Sequence, residues 1–170
     1  MKKKIKLLIA IALLSIVGYL GYKITRTLNY KKEVTERIQR IPDFSFHTLK
    51  GTMYTQDNLP KKPIVFVYFN SDCEYCQSEA TKIQQRLADL KDVQLVFVSF
   101  EVASSIKQFA KDYKLNTHEN ITFLEDRKGQ FSHIFDVNSI PYIVVYDANQ
   151  KLLQKFKGAT KIDNILEVLK

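Results

Sequence analysis

The chain changes its hydrophobic period several times, and each change marks an element. Residues 7–22, LLIAIALLSIVGYLGY, are apolar without a single charge. Residues 25–41 are polar, with only Leu28, Val34, Ile38 and Ile41 as sparse apolar positions, which predicts a partly helical tether rather than a second domain. From Pro42 onward the pattern is that of a globular domain. DFSFHTL and TMYTQDNL, on either side of Lys50-Gly51, predict two short strands joined by a turn. PIVFVYF, residues 63–69, is a continuous β-branched and aromatic run, as expected of a central strand buried on both faces. Ala80, Ile83, Leu87 and Leu90 then recur every three or four residues and predict an amphipathic helix over 73–90, with Ser71 and Asp72 as candidate N-caps.

VQLVFVSF (93–100) predicts a second buried strand, and Ser104–Tyr113 a helix with Ile106, Phe109 and Ala110 inward. ITFLED predicts a short strand and GQFSHIFDV a short helix. PYIVVYD and KLLQKFKG pair as an antiparallel hairpin across Ala148-Asn149-Gln150, and residues 161–170 close the chain with a helix that turns Ile162, Ile165, Leu166 and Leu169 inward. The aromatic residues Phe66, Tyr68, Phe69, Phe97 and Phe100 are assigned to the core. The element order gives an α/β class, with a central mixed β-sheet flanked by helices and an N-terminal β-hairpin.

Charge changes the reading of the N-terminus. The net charge of +8 invites nucleic acid as a partner, but residues 1–40 hold ten Lys/Arg against two Glu, while residues 41–170 hold sixteen of each sign. The globular part is neutral, which excludes a nucleic-acid footprint. The basic excess brackets the apolar run instead. Sixteen residues fall slightly short of the roughly twenty that span a bilayer; Ile5 and Ile24 extend the run, and Lys6 and Lys23 can snorkel to the headgroups. Residues 1–24 are therefore read as a single transmembrane helix, 25–41 as tether and 42–170 as the globular domain. A cleaved signal peptide is the alternative, although cutting after Gly18 or Gly21 leaves bulky Ile16 or Tyr19 at the −3 position; a buried soluble helix is the third. The short basic N-terminus is expected inside and the domain outside the cytoplasm, on the periplasmic side of the inner membrane, where disulfide chemistry is permitted.

Both cysteines of the chain lie in FNSDCEYCQSEA, residues 69–80. Cys73 falls at the first turn of a helix straight after a buried strand, where unsatisfied N–H groups and the helix dipole favour a thiolate. Cys76 is on the same face three residues on, close enough to bond with it. Glu79 follows at the same step, either as a proton acceptor for Cys76 or as a solvated helix residue. Metal binding needs more ligands than the pair supplies, and His47, His118 and His133 show no ligand spacing. A structural disulfide here would close a very small loop and constrain little. Redox exchange is the reading that a CxxC between strand and helix favours.

The pieces PDFSFHTLKG, PIVFVYFNSDCEYCQSE and SIPYIVVYDANQKLLQKFKG resemble the thioredoxin superfamily, and more closely its membrane-tethered ResA/TlpA branch, over nearly all of residues 42–170. The resemblance implies a thioredoxin-like fold and a protein-disulfide oxidoreductase working in the reducing direction. It makes Cys73 the nucleophile, Cys76 the resolving cysteine and Glu79 the acidic residue that follows the motif. Pro141 matches the family's cis-proline, which faces the dithiol, with Ile140 and Tyr75 as further candidate substrate contacts. The implied partners are disulfide-containing proteins, an upstream membrane electron donor and the lipid bilayer, with the protein a monomer and no cofactor beyond the dithiol.

Departures from the family bear on direction. The Trp that usually precedes the motif is replaced by Asn70-Ser71-Asp72, and Val67 stands where cytosolic thioredoxins keep a buried Asp, which leaves Glu79 as proton acceptor. Asp72 and Glu74 flank Cys73 and oppose the helix dipole, which favours a reductant. Two other functions compete. A peroxiredoxin-like thiol peroxidase shares the N-terminal hairpin but needs an activating Pro or Thr before Cys73. A metal chaperone would use Cys73, Cys76 and His133.

Overall fold

The computed structural model describes residues 2–170, so Met1, the first residue of the expected anchor, lies outside the described residues. The chain divides into two compact units, with the division after Glu36.

The first unit is helical. Helix α1 runs over Lys2–Arg37, and it contains an 18-residue stretch of mean hydropathy 2.0, long and apolar enough to cross a membrane. Leu7, Leu14, Val17 and Tyr22 are among the apolar side chains it exposes. The expected tether, residues 25–41, is helical as far as Arg37 and non-helical after it.

The second unit begins at Arg37, ahead of the expected boundary at Pro42. Ile38 and Ile41 are buried in it. Backbone bonds explain why: Leu152 N–H donates to Gln39 O (2.9 Å), Ile41 N–H to Gln150 O (3.2 Å), and the buried Tyr146 hydroxyl donates to Ile38 O (2.9 Å). A segment that looked like spacer is held along the hairpin that follows it by more than a hundred residues.

The sheet contains β1 (Ser45–Thr48), β2 (Met53–Thr55), β3 (Ile64–Tyr68), β4 (Gln94–Ser99), β5 (Ile121–Glu125), β6 (Tyr142–Tyr146) and β7 (Leu152–Lys157) in the order β2-β1-β5-β4-β3-β6-β7. β3, β4 and β5 are parallel; β1 and β2 continue the sheet antiparallel from β5, and β6 and β7 antiparallel from β3. β3, β4 and β6 are buried along their whole length, as expected of their largely apolar runs, and β4 buries the polar Gln94 and Ser99 at its two ends as well. Between the parallel strands lie α2 (Glu74–Gln85) and α3 (Ala103–Asp112); α4 (Gln130–Phe135) precedes β6 and α5 (Ile162–Val168) ends the chain. Gly51, at φ +83°, supplies the left-handed turn between β1 and β2 that a side chain would strain.

Alternation along β3 divides the core in two. Val65, Val67 and Phe69 join one cluster with Ala80 and Ile83 of α2, Ile106 and Phe109 of α3, and Ile162 and Ile165 of α5. On the other face, Phe66 meets Phe44 and Tyr146 edge-on and lies within 6.2 Å of the Phe131 and Phe135 rings of α4, while Tyr68 stacks on Phe131 at 5.0 Å. Two expectations are corrected. Phe100 is 47% exposed because it lies past the end of β4, and helix 73–90 stops at Gln85, after which Leu87–Leu90 form a 3-10 turn.

Candidate active site

The sheet register assembles the site. β3 ends at Tyr68 and leads directly into the cysteine turn. Tyr68 pairs with Tyr142, the first residue of antiparallel β6, so the segment before β6 arrives at the same end of the sheet. That segment contains the Ile140–Pro141 peptide bond, which is cis, as expected. Pro141 is buried and its carbonyl already accepts from Gly158 N–H (2.8 Å), with Ile140 half-buried beside it. Parallel β4 delivers a third segment, Ser99-Phe100-Glu101, to this end.

Cys73 is the N-cap of α2, with extended backbone (φ −85°, ψ 113°), and its carbonyl accepts the first helical bond from Gln77 N–H at 3.0 Å. Neither expected cap fills that role. Ser71 is taken by Glu101: the carboxylate accepts from Ser71 N–H (2.7 Å), from the Ser71 hydroxyl, and from the Ser99 hydroxyl (3.0 Å). Asp72 N–H turns back to Asn70 Oδ1 (2.9 Å), and Gln77 Nε2 donates to Ser71 O (2.8 Å). The turn before Cys73 is therefore fastened from α2 and from the segment that follows β4. Glu101 was missed in the sequence; its signal is a pair of polar residues, Ser99 and Glu101, flanking an outward aromatic at the end of a buried strand.

The two thiols differ in environment. Both are free; Cys73 is half-buried and Cys76 is 2% exposed. Burial pushes the Cys76 thiol up to about 12, and the neighbouring Cys73 and the Glu79 carboxylate push the same way, against a backbone hydrogen bond involving Asn70.

Glu79 is wholly buried, which overturns its reading as a solvated residue. Its Oε2 accepts from Thr160 N–H (2.9 Å) and lies 3.6 Å from Lys82 Nζ. Its Oε1 is buried with no hydrogen-bond partner among the described residues. Burial raises this carboxyl above the ordinary range, while Thr160 N–H and Lys82 pull it back. Tyr75, in contrast, is 69% exposed on the first turn of α2 beside the exposed Glu74.

The trio Cys73, Cys76 and His133 is not brought together as a metal site: among the described residues no group of three or more His, Cys, Asp and Glu side chains is placed to hold an ion.

Known proteins share this arrangement of strands and helices. The chain is 29% identical to the thioredoxin-like protein YneN of Bacillus subtilis over 151 residues, 86% of this chain and 85% of that protein. It is 23% identical to the thiol-disulfide oxidoreductase ResA of Bacillus thuringiensis subsp. konkukian, over 100% of this chain and 98% of the relative. Among solved structures, a secreted Mycobacterium tuberculosis disulfide oxidoreductase homologous to E. coli DsbE superposes with a TM-score of 0.63 at 25% identity, covering 78% of this chain and 96% of that one. The fold is thioredoxin-like. The model of the AhpC/TSA family matches residues 38–155, starting where Ile38 enters the core and spanning both cysteines and Pro141, and the chain belongs to that family.

Proposed function

We propose that the protein is a membrane-anchored thiol–disulfide oxidoreductase that reduces disulfides of exported proteins. One observation carries this reading: the asymmetry of the dithiol, with Cys73 reachable at the N-cap of α2 and Cys76 buried one turn behind it beside a buried carboxyl. The named activities of ResA and of the M. tuberculosis oxidoreductase support it.

Cys73, as thiolate, attacks a substrate disulfide; one substrate sulfur leaves as thiolate and the other stays bonded to Cys73. Cys76 then gives its proton to Glu79 and attacks Cys73 Sγ, which releases the second substrate sulfur. Two electrons pass to the substrate, whose two thiolates take their protons from water while Glu79 gives up the Cys76 proton and returns to the carboxylate; a Cys73–Cys76 disulfide remains for an upstream thiol donor at the membrane to reduce. No further cofactor enters this exchange. The cis-Pro141 turn and Ile140 form the shelf along which an extended substrate lies, with Tyr75 flanking its entry.

Glu79→Gln tests the proton step. Glu79 becomes a base only as pH rises through its elevated folded value, so wild-type resolution accelerates over that range and the variant does not. A loss on the order of 10²-fold near neutral pH is expected in stopped-flow release from a mixed disulfide. Stability gives a second readout with a definite sign. A raised folded value means that the Glu79 contribution is full below the ordinary carboxylate value and is lost as pH rises through the folded one. The Gln variant should lack that decline in pH-dependent melts. Equal release rates in the two proteins across the range would remove Glu79 from the mechanism.

Helix α1 supports the anchor, and we place its N-terminus inside on the strength of its short basic head. The full chain is expected in the membrane pellet after a carbonate wash, while a chain starting at Arg37 is recovered in the supernatant. A mature protein beginning near residue 20 would show a cleaved signal instead.

A further inference from the structure

Cys76, Glu79 and Lys82 follow one another at steps of three along α2, so they stack on one face of the helix. Cys76 and Glu79 are buried, at 2% and 0% exposure, and the Lys82 side chain is 38% exposed. The column runs from the buried thiol through a buried carboxyl to an ammonium that reaches water. The two oxygens of Glu79 are not equivalent within it. Oε2 is fixed by Thr160 N–H at 2.9 Å and by Lys82 Nζ at 3.6 Å, and Lys82 Nζ also donates to Thr160 O at 3.3 Å. Oε1 is buried and open.

We propose that Lys82 is a positioning residue for the release of substrate: by holding Oε2 it makes the ionised form of Glu79 available inside the core and leaves Oε1 as the oxygen that receives the Cys76 proton. The proposal rests on the oxidoreductase reading for its consequence in turnover, but its electrostatic content stands by itself. An isolated buried carboxylate is costly, and an oxygen without a donor carries that cost unless it is protonated or a cation compensates its partner oxygen.

The Thr160 N–H shares in holding Oε2, but no other group acting on Glu79 brings a compensating positive charge. On α2 the remaining titratable neighbour is Cys76. β3 and β6 contribute Val65, Val67, Ile143 and Val145 to the cluster that contains Cys76 and Ala80, all apolar. The segment before α5 contributes the Thr160 backbone, and Asp163 of α5 is bound to Arg86 at 3.0 Å. Burial raises the carboxyl; the Thr160 N–H and then Lys82 act to lower it, and Lys82 is the charged one. In the step itself the Cys76 S–H proton moves to Oε1, the Cys76–Cys73 bond forms, and the Cys73–substrate bond breaks with its electron pair leaving on the substrate sulfur.

The test uses the full chain in detergent as wild type, Lys82→Met, Lys82→Arg, Glu79→Gln and the Lys82→Met/Glu79→Gln double variant. A thionitrobenzoate adduct on Cys73 serves as the mixed disulfide. Release of the coloured thiol is followed against pH, and the Glu79 carboxyl of the reduced protein is titrated by carbon NMR. Because Lys82 is more than a third exposed its field is partly screened, so a loss of about three- to tenfold is expected in Lys82→Met on the acid side of the profile. The Glu79 midpoint should move to higher pH, Lys82→Arg should restore both, and Lys82→Met should change nothing further in the Glu79→Gln background. An unmoved midpoint, a moved midpoint with unchanged release, or an equal loss in the Glu79→Gln background would each overturn the proposal. Failure of wild type to reduce protein disulfides would sink the oxidoreductase reading instead, and the carboxyl titration would still decide what Lys82 does to Glu79.

Discussion

Cys76→Ser is expected to arrest the protein as a covalent adduct with its partners, whereas Cys73→Ser ends exchange altogether. The two sulfurs are not interchangeable. Cys76 is 2% exposed behind the first turn of α2, so it cannot reach the disulfide of a folded partner, while Cys73 is at the helix N-cap with its side chain partly open. Once Cys73 is bonded to substrate, release depends on an attack from within the same turn of helix. Well-oriented intramolecular attack has an effective molarity of about 10⁵ M or more, against roughly millimolar external thiol, so removing it lengthens the adduct's life by several orders of magnitude. Non-reducing gels of membranes from the Cys76→Ser strain should show higher bands that vanish with reductant, and insulin reduction by either variant should fall to background. Partners captured equally well by Cys73→Ser would reverse the assignment of nucleophile. Peroxide turnover that survives in Cys76→Ser, with no captured partner, would favour a peroxidase.

What the sequence revealed of this site follows from which interactions are local. β3, β4 and β6 were legible because strands buried on both faces read as near-continuous β-branched and aromatic runs, broken in β4 only at its ends by Gln94 and Ser99. The dithiol was legible because strand, turn, two cysteines and helix are contiguous. The register that brings cis-Pro141 to the same end of the sheet is a property of β6 pairing with β3, and only the resemblance to a family anticipated it. Errors came where a local signal met a distant competitor. Ser71 has the chemistry of an N-cap, but Glu101, thirty residues on, captures both its N–H and its hydroxyl. Leu87 and Leu90 keep the helical period, yet periodicity reports which side chains face inward and not whether the backbone remains α-helical; here the turn is 3-10. The spacing of Glu79 placed it beneath Cys76. Its burial depends on Thr160, 81 residues away, and no spacing rule contains that distance.

The same limit separates two phenylalanines that the sequence treats alike, and stability measurements should separate them too. Phe66→Ala is expected to cost about 3–5 kcal/mol, as full truncation of a buried aromatic does. Phe66 has no exposed surface, meets Phe44 and Tyr146 edge-on at 5.9 and 6.1 Å, and fills the space between β3 and α4. Those ring pairs add about 0.5–1.5 kcal/mol each beyond the area they bury. Phe100→Ala is expected to stay within about 0.5 kcal/mol, because that ring is half in water and its ring contact with Tyr68 is a loose one at 6.3 Å. Urea unfolding of the two variants, read at equal slope, makes the comparison. Comparable losses would mean that the aromatic layer under α4 is not a close-packed core. The difference bears on function because β3 is the strand that presents Cys73. A cavity at Phe66 loosens the stem of the redox turn, whereas Phe100, at the exposed rim beside Glu101, can be cut back without disturbing the carboxylate clamp on Ser71.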